Sequence, residues 1–142
     1  MPKQINTWND LIGNKNYKEI LLNSISRNVL PQFILFVGQQ GIGKSSFSRM
    51  IAKTILCTDR LPNGEPCNKC KSCLEMNNNS NRSYIKINMP AYCSKNEVKD
   101  TLTDIFLIKK ISDRTVYVLE EIQDLTMDLQ KLWLEPLTNI PK

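Results

Sequence analysis

Eight consecutive residues, Gly38-Gln39-Gln40-Gly41-Ile42-Gly43-Lys44-Ser45, fit the pattern G-x-x-x-x-G-K-[ST]. Glycines at this spacing let the main chain curl until successive N–H groups converge at the start of a helix, where they can hold phosphate oxygens. Lys44 is then placed to reach β- and γ-phosphates, and the Ser45 hydroxyl to ligate Mg²⁺. A glycine-rich turn can match such a pattern by accident, so the flanks matter. Residues 33–37, Phe-Ile-Leu-Phe-Val, predict a short strand covered on both faces in a parallel sheet. Phe47, Met50, Ile51 and Ile55 predict an amphipathic helix directly after the loop.

A nucleotide site of this kind needs acids on a second strand, and Val116-Tyr117-Val118-Leu119-Glu120-Glu121 offers them. At the carboxyl end of a parallel strand such acids point toward the crevice in which ligands bind. Glu120 is the candidate to face the metal and Glu121 to polarise an attacking water; the plainer alternative is a pair of solvated acids at a strand end. Asp124 reads as a turn residue.

Cys57, Cys67, Cys70 and Cys73 form a second constellation, with two successive C-x2-C steps and a fourth thiol across a loop containing Pro62, Gly64 and Pro66. This suits a closed tetrahedral thiolate site for Zn²⁺, structural because no position is left for water. Disulfides are a rival, opposed by the total of five cysteines and by a reducing compartment. An iron–sulfur cluster is another, left open by spacing alone. Cys93 stands apart and reads as a small buried hydrophobe.

The elements that must position these groups come from 142 residues, 41% of them apolar, enough for one modest core. With no His in the chain, the usual general base and the commonest nitrogen ligand of zinc are missing. The net charge of +5 permits contact with phosphate polymers without requiring it. No apolar run approaches the roughly twenty residues of a membrane span, and the first residues lack a secretory core, so a cytoplasmic location is expected. Periodicity predicts a helix over 17–30 stopped by Pro31, a strand over 84–88, and a helix opened by a Ser94/Glu97 capping box with Val98, Leu102, Ile105 and Phe106 as its stripe. A last helix is predicted over 126–134, closed off by Pro136.

In order and type these features resemble one family, the AAA+ clamp-loader subunits of bacterial DNA polymerase III, of gamma/tau or delta-prime type. The opening Thr7-Trp8-Asn9-Asp10-Leu11-Ile12-Gly13-Asn14 looks like the segment that lies against adenine there, and a cysteine quartet inserted after the helix that follows the phosphate loop is highly specific to these subunits. The resemblance implies an α/β fold, a three-layer P-loop NTPase core with a parallel sheet, incomplete within residues 1–142 and carrying a zinc-binding insertion at 57–73. It assigns Leu11 and Ile12 to the base, and Gly41, Ile42, Gly43, Lys44, Ser45 and Ser46 to the phosphates. Glu120 and Glu121 take the Walker B positions, and the four cysteines the zinc. ATP, Mg²⁺ and Zn²⁺ are the implied cofactors. Other clamp-loader subunits, the sliding clamp and primed DNA are the implied partners.

Two departures qualify what the resemblance implies. Glu120 stands where most gamma/tau subunits have Asp, and the added methylene moves the carboxylate by about an ångström in a geometry that Mg²⁺ keeps near-octahedral. ATP binding is therefore expected, while hydrolysis by this chain stays open. The family also continues with a sensor strand, an arginine-bearing segment, a helical lid and a collar that do not follow Lys142. The expectation is an N-terminal portion of a longer protein, or a truncated relative that borrows a strand. A competing reading is a non-catalytic module in which the zinc element docks a protein partner. A zinc-bearing nucleotide kinase is a third, opposed by the adjacent glutamates.

Overall fold

Thr7 starts the first ordered turn because Asp10, three residues on, reaches back: its Oδ2 accepts from the Thr7 N–H at 2.9 Å, the Asn6 N–H at 3.0 Å and the Thr7 hydroxyl at 3.0 Å. The computed structural model describes residues 5–91, 94–107 and 114–138, which fall into two units, Met1–Tyr84 and Ile85–Lys142. The Cys93 expectation lies outside the described residues.

In the first unit a 3₁₀ turn at Trp8–Asp10 leads to helices α1 (Lys15–Ser26), α2 (Lys44–Leu56) and α3 (Lys71–Asn77). Its core joins Trp8, Leu11, Ile25, Phe47, Met50 and Ile51. Of the stripe predicted on α2, Phe47, Met50 and Ile51 are buried and Ile55 is partly so, and Ala52, Lys53, Thr54 and Leu56 are buried beside them. Trp8 is almost fully enclosed: its ring meets Phe47 edge-on with centroids 6.4 Å apart, and its Nε1–H donates to the Thr54 hydroxyl at 3.0 Å. Helix α1 ends earlier than its apolar residues suggest, because Asn28 adopts φ +54° and the Val29 N–H turns back to the Ser24 carbonyl at 2.9 Å. A left-handed residue after the last turn ends a helix without help from proline. Val29 is consequently left exposed.

Residues 33–37 differ from the sequence expectation. Among the described residues they belong to no strand. Phe36 packs on the core of the first unit, while Phe33, Leu35 and Val37 remain exposed. An apolar run favours an extended chain, but a strand exists only through a ladder with a neighbour.

The second unit carries β1 (Tyr84–Asn88) from its second residue on, α4 (Lys95–Leu107), β2 (Val116–Glu120) and α5 (Met127–Thr138). The two strands form a parallel pair, which requires a crossover such as the one through α4. Among the described residues, two strands are little of the parallel sheet in the incomplete three-layer core expected from the sequence. Met89, Val98, Leu102, Leu125, Leu129 and Trp133 make the core. The predicted capping box is present, with the Ser94 N–H donating to Glu97 Oε2 at 2.9 Å and the Glu97 N–H to Ser94 Oγ at 3.2 Å. Helix α5 continues past the predicted stop to Thr138 with Pro136 inside it. The missing N–H of a proline removes one rung near a helix end without forcing the last turn to unwind. Among the described residues no helix is long and apolar enough to cross a membrane.

Candidate nucleotide and metal sites

The loop before α2 is shaped by two left-handed glycines, Gly41 at φ +82° and Gly43 at φ +99°, on either side of Ile42. Glycine takes such angles without the strain other residues meet, and left-handed positions at this spacing are what a loop needs for its N–H groups to converge. Gly38 is crowded for a different reason: a Cβ there would meet Ile42 Cγ2 at 3.2 Å, and that side chain would have to shift by a few tenths of an ångström. Helix α2 starts at Lys44 with no side chain capping it, so its first amides face the loop. The Lys44 ammonium folds across the loop and donates to the carbonyls of Gly38 at 2.7 Å and Gln39 at 2.9 Å. Ser45 is exposed and Ser46 half-buried. The six phosphate-loop candidates thus run from the two left-handed glycines into the first turn of α2, and the Lys44 side chain folds back over Gly38 and Gln39.

Leu11 and Ile12 point to different places. Leu11 is buried in the core, while Ile12 is 97% exposed. Gly13 (φ +81°) and Asn14 (φ +50°) follow as two left-handed residues, and the Lys18 ammonium donates to the Leu11 carbonyl. A cleft of about 450 Å³ opens here between Trp8, Asn9, Gly13, Asn14 and Lys18. Lys18 was not marked by the sequence; it sits at the i+4 position from Asn14 on a polar helix face, where a lysine carries no motif.

The four cysteines converge from separate elements. Cys57 closes α2, Cys70 immediately precedes α3, Cys73 lies in the first turn of α3, and Cys67 comes from the loop between them. Their sulfurs all lie within 4.8 Å of one another. Cys57 Sγ is 3.5 Å from Cys67 Sγ and 3.9 Å from Cys70 Sγ. A tetrahedron with zinc–sulfur bonds of about 2.3 Å has edges of about 3.8 Å, whereas a disulfide would bring two sulfurs to about 2 Å. All four are free thiols. The spacing suits one ion better than a multi-iron cluster, whose cysteines bind different irons and stand farther apart.

Asn68, at φ +57°, makes the knuckle between Cys67 and Cys70. There the Cys70 N–H donates to Cys67 Sγ at 3.2 Å, and the Cys67 N–H donates to Cys57 Sγ at 3.3 Å. Such amides offset negative charge on sulfur. Burial pushes the Cys57 thiol up, and burial together with a hydrogen bond to Cys70 pushes Cys73 up. Burial acts on Cys70 in the same sense, but hydrogen bonds from the backbone of Cys73 and from Thr58 outweigh it and bring that thiol down to about 6. A quartet so confined cannot hold four thiolate charges without a cation, which is the donor chemistry of a soft divalent metal. Lys53, 2% exposed, donates to Asn6 Oδ1 at 3.2 Å. Burial lowers its ammonium, opposed by the nearby Cys73 and Cys57.

In the second unit Glu120 ends β2 and pairs with Lys86 of β1, Nζ to Oε2 at 2.8 Å. Glu121 follows at φ +56°, exposed, and accepts from the Gln123 amide. A non-glycine residue in the left-handed region at the end of a strand is a strained position that function commonly maintains.

The sequence model of the family described as DNA polymerase III, delta subunit, matches residues 13–132. The chain is 30% identical over 134 residues to the DNA polymerase III subunit gamma/tau of Mycoplasma pneumoniae, covering 94% of this chain and 19% of that protein. It is 25% identical to the tau subunit of Bacillus subtilis, covering 95% of this chain and 24% of the other, and 24% identical to that of Escherichia coli, covering 96% and 21%. The chain therefore spans about a fifth to a quarter of the length of these relatives. With most of its residues inside the family match, the chain belongs to the DNA polymerase III delta-subunit family, as a subunit of clamp-loader type.

Proposed function

We propose that this chain is an ATP-binding segment of a clamp-loader subunit that works in DNA replication. The observation that carries the reading is the pair of left-handed glycines, Gly41 and Gly43, turning the loop toward the uncapped start of α2 with Lys44 above it. The amides of Gly41, Ile42, Gly43, Lys44, Ser45 and Ser46 take the phosphates, the Lys44 ammonium exchanges two loop carbonyls for phosphate oxygens, and the Ser45 hydroxyl joins Mg²⁺. Ile12 offers the base an exposed apolar side chain, and the main chain around the buried Leu11 fixes its place. Glu120 and Glu121 serve as the Walker B acids. The cysteine quartet holds Zn²⁺, which ties the end of α2 to the start of α3.

By the family resemblance drawn from the sequence, the chain acts with other clamp-loader subunits on a sliding clamp and primed DNA in the cytoplasm. A second reading, a non-catalytic interaction module, draws support from the engagement of Glu120 by Lys86. Equilibrium binding of labelled ATP to the full natural protein and to its Lys44→Ala variant separates the two. The clamp-loader reading expects tight binding that falls at least about a hundredfold in the variant, the order of a lost doubly charged contact. Indifference to the substitution supports the interaction module.

A further inference from the structure

We infer that the loop between Cys57 and Cys67 is a clasp on the base side of the nucleotide site, with Glu65 as its positioning residue. The inference rests on the nucleotide reading above and extends it to a residue that no motif marks. Glu65 Oε2 accepts the main-chain N–H of Trp8 at 3.0 Å, across 57 positions of sequence. Trp8 is held a second time through its Nε1–H, which donates to Thr54 on α2, the helix that begins at Lys44 and is closed by Cys57. The residue next to the cleft is thus fixed at one end by the phosphate-loop helix and at the other by the cysteine loop.

Glu65 cannot drift, because its surroundings are set. The Leu61 N–H donates to the Glu65 carbonyl at 2.9 Å, the Glu65 N–H donates to Asn63 Oδ1 at 3.1 Å, and Gly64 and Pro66 on either side are buried. Gly64, at φ +85°, lies so close to α1 that a Cβ would meet Leu22 Cδ2 at 3.4 Å. Cys67, two residues beyond Glu65, sits 3.5 Å from Cys57 sulfur to sulfur, so ligation of the quartet closes this loop and fixes the carboxylate. Trp8 and Asn9 wall the cleft with Gly13, Asn14 and Lys18. A charge-assisted bond to a main-chain amide orients that wall, and whatever orders the loop orders the cleft. The coupling is reciprocal: bound nucleotide strengthens metal retention as metal strengthens nucleotide binding.

The test uses the full natural protein loaded with Zn²⁺ and measures the dissociation constants of ATP and of inorganic tripolyphosphate, together with zinc content. Glu65→Ala should weaken ATP about tenfold, within the usual span of coupling effects, with tripolyphosphate affinity and zinc content unchanged. Glu65→Gln, whose amide oxygen still accepts the Trp8 N–H, should bind ATP nearly as the wild type does. Removing zinc should weaken ATP in the wild type and have no further effect in Glu65→Ala. Equal ATP affinity in wild type and Glu65→Ala, both binding tripolyphosphate, would overturn the clasp alone. So would parallel losses of ATP and tripolyphosphate, or a Gln variant as weak as the Ala variant. A wild-type protein that binds neither polyanion would overturn the nucleotide reading, and the clasp with it.

Discussion

The ammonium of Lys86 lies 2.8 Å from the Glu120 carboxylate, joining the two neighbouring strands of the second unit. Both groups are partly exposed, so the pair contributes no more than about 1 kcal/mol to stability. If Glu120 takes the metal role proposed for it, the larger effect of the pair is on metal chemistry, because a cation already seated on Glu120 would compete with Mg²⁺. Replacing Lys86 by Met should lower the Mg²⁺ concentration that half-saturates ATP binding or turnover, while Glu120→Gln should raise it. Identical Mg²⁺ titrations in wild type and Lys86→Met would remove Glu120 from the metal.

The Trp8 indole and the Thr54 hydroxyl form a buried donor–acceptor pair, and the same hydroxyl donates to the Met50 carbonyl at 2.8 Å. Thr54→Val keeps the shape and strands the indole N–H, which costs about 1–3 kcal/mol. Thermal melts should show a drop of several degrees. Adding Trp8→Phe should cost less in the Thr54→Val variant than in the wild type, since the stranded donor is gone. Strict additivity would mean that the pair carries no coupling.

With the proposed zinc bound, metal and protons would compete for the quartet. Burial raises Cys57 and Cys73 above the ordinary thiol value of 9.0, so both keep their protons at neutral pH in metal-free protein. The raised values favour the metal-free fold below the ordinary value; that contribution is lost as pH climbs through the folded-state values, because the unfolded chain releases protons that the folded one retains. Zinc affinity runs the other way, since each thiol must ionise to bind. Zinc dissociation constants should fall steeply between pH 6 and pH 8, by at least about two powers of ten per pH unit, since Cys57 and Cys73 must each give up a proton. A pH-independent affinity would contradict the assignment of these cysteines as ligands. Chelation should also disorder 57–73 before it affects β1 and β2, which hydrogen exchange can follow segment by segment.

The parts of the fold legible in the sequence are those whose signal is local. The spacing of Phe47, Met50 and Ile51 places α2, alternation places β1, and the Ser94/Glu97 box places the start of α4. The strand predicted over 33–37 failed because a strand is a property of two chain segments, and its sequence reports one. The end of α1 was set by Asn28 in a left-handed conformation, a choice that asparagine makes only in some contexts. Site residues divide the same way. The phosphate-loop glycines and the C-x2-C steps are contiguous patterns with a chemical reason for their spacing. Glu65 and Lys86 act through single side chains that reach distant segments, and such contacts leave no periodicity to read.

The proposed function stands or falls on whether the amides ahead of Lys44 cradle the phosphates of a nucleotide. Calorimetric titration of the full natural protein with Mg²⁺ and ATP tests it most directly. One binding event per chain is expected, displaced by tripolyphosphate and abolished by Gly43→Val, which cannot hold φ near +99° without strain. A folded wild-type protein that gives no heat of binding, or a Gly43→Val variant that binds as tightly as wild type, would contradict it.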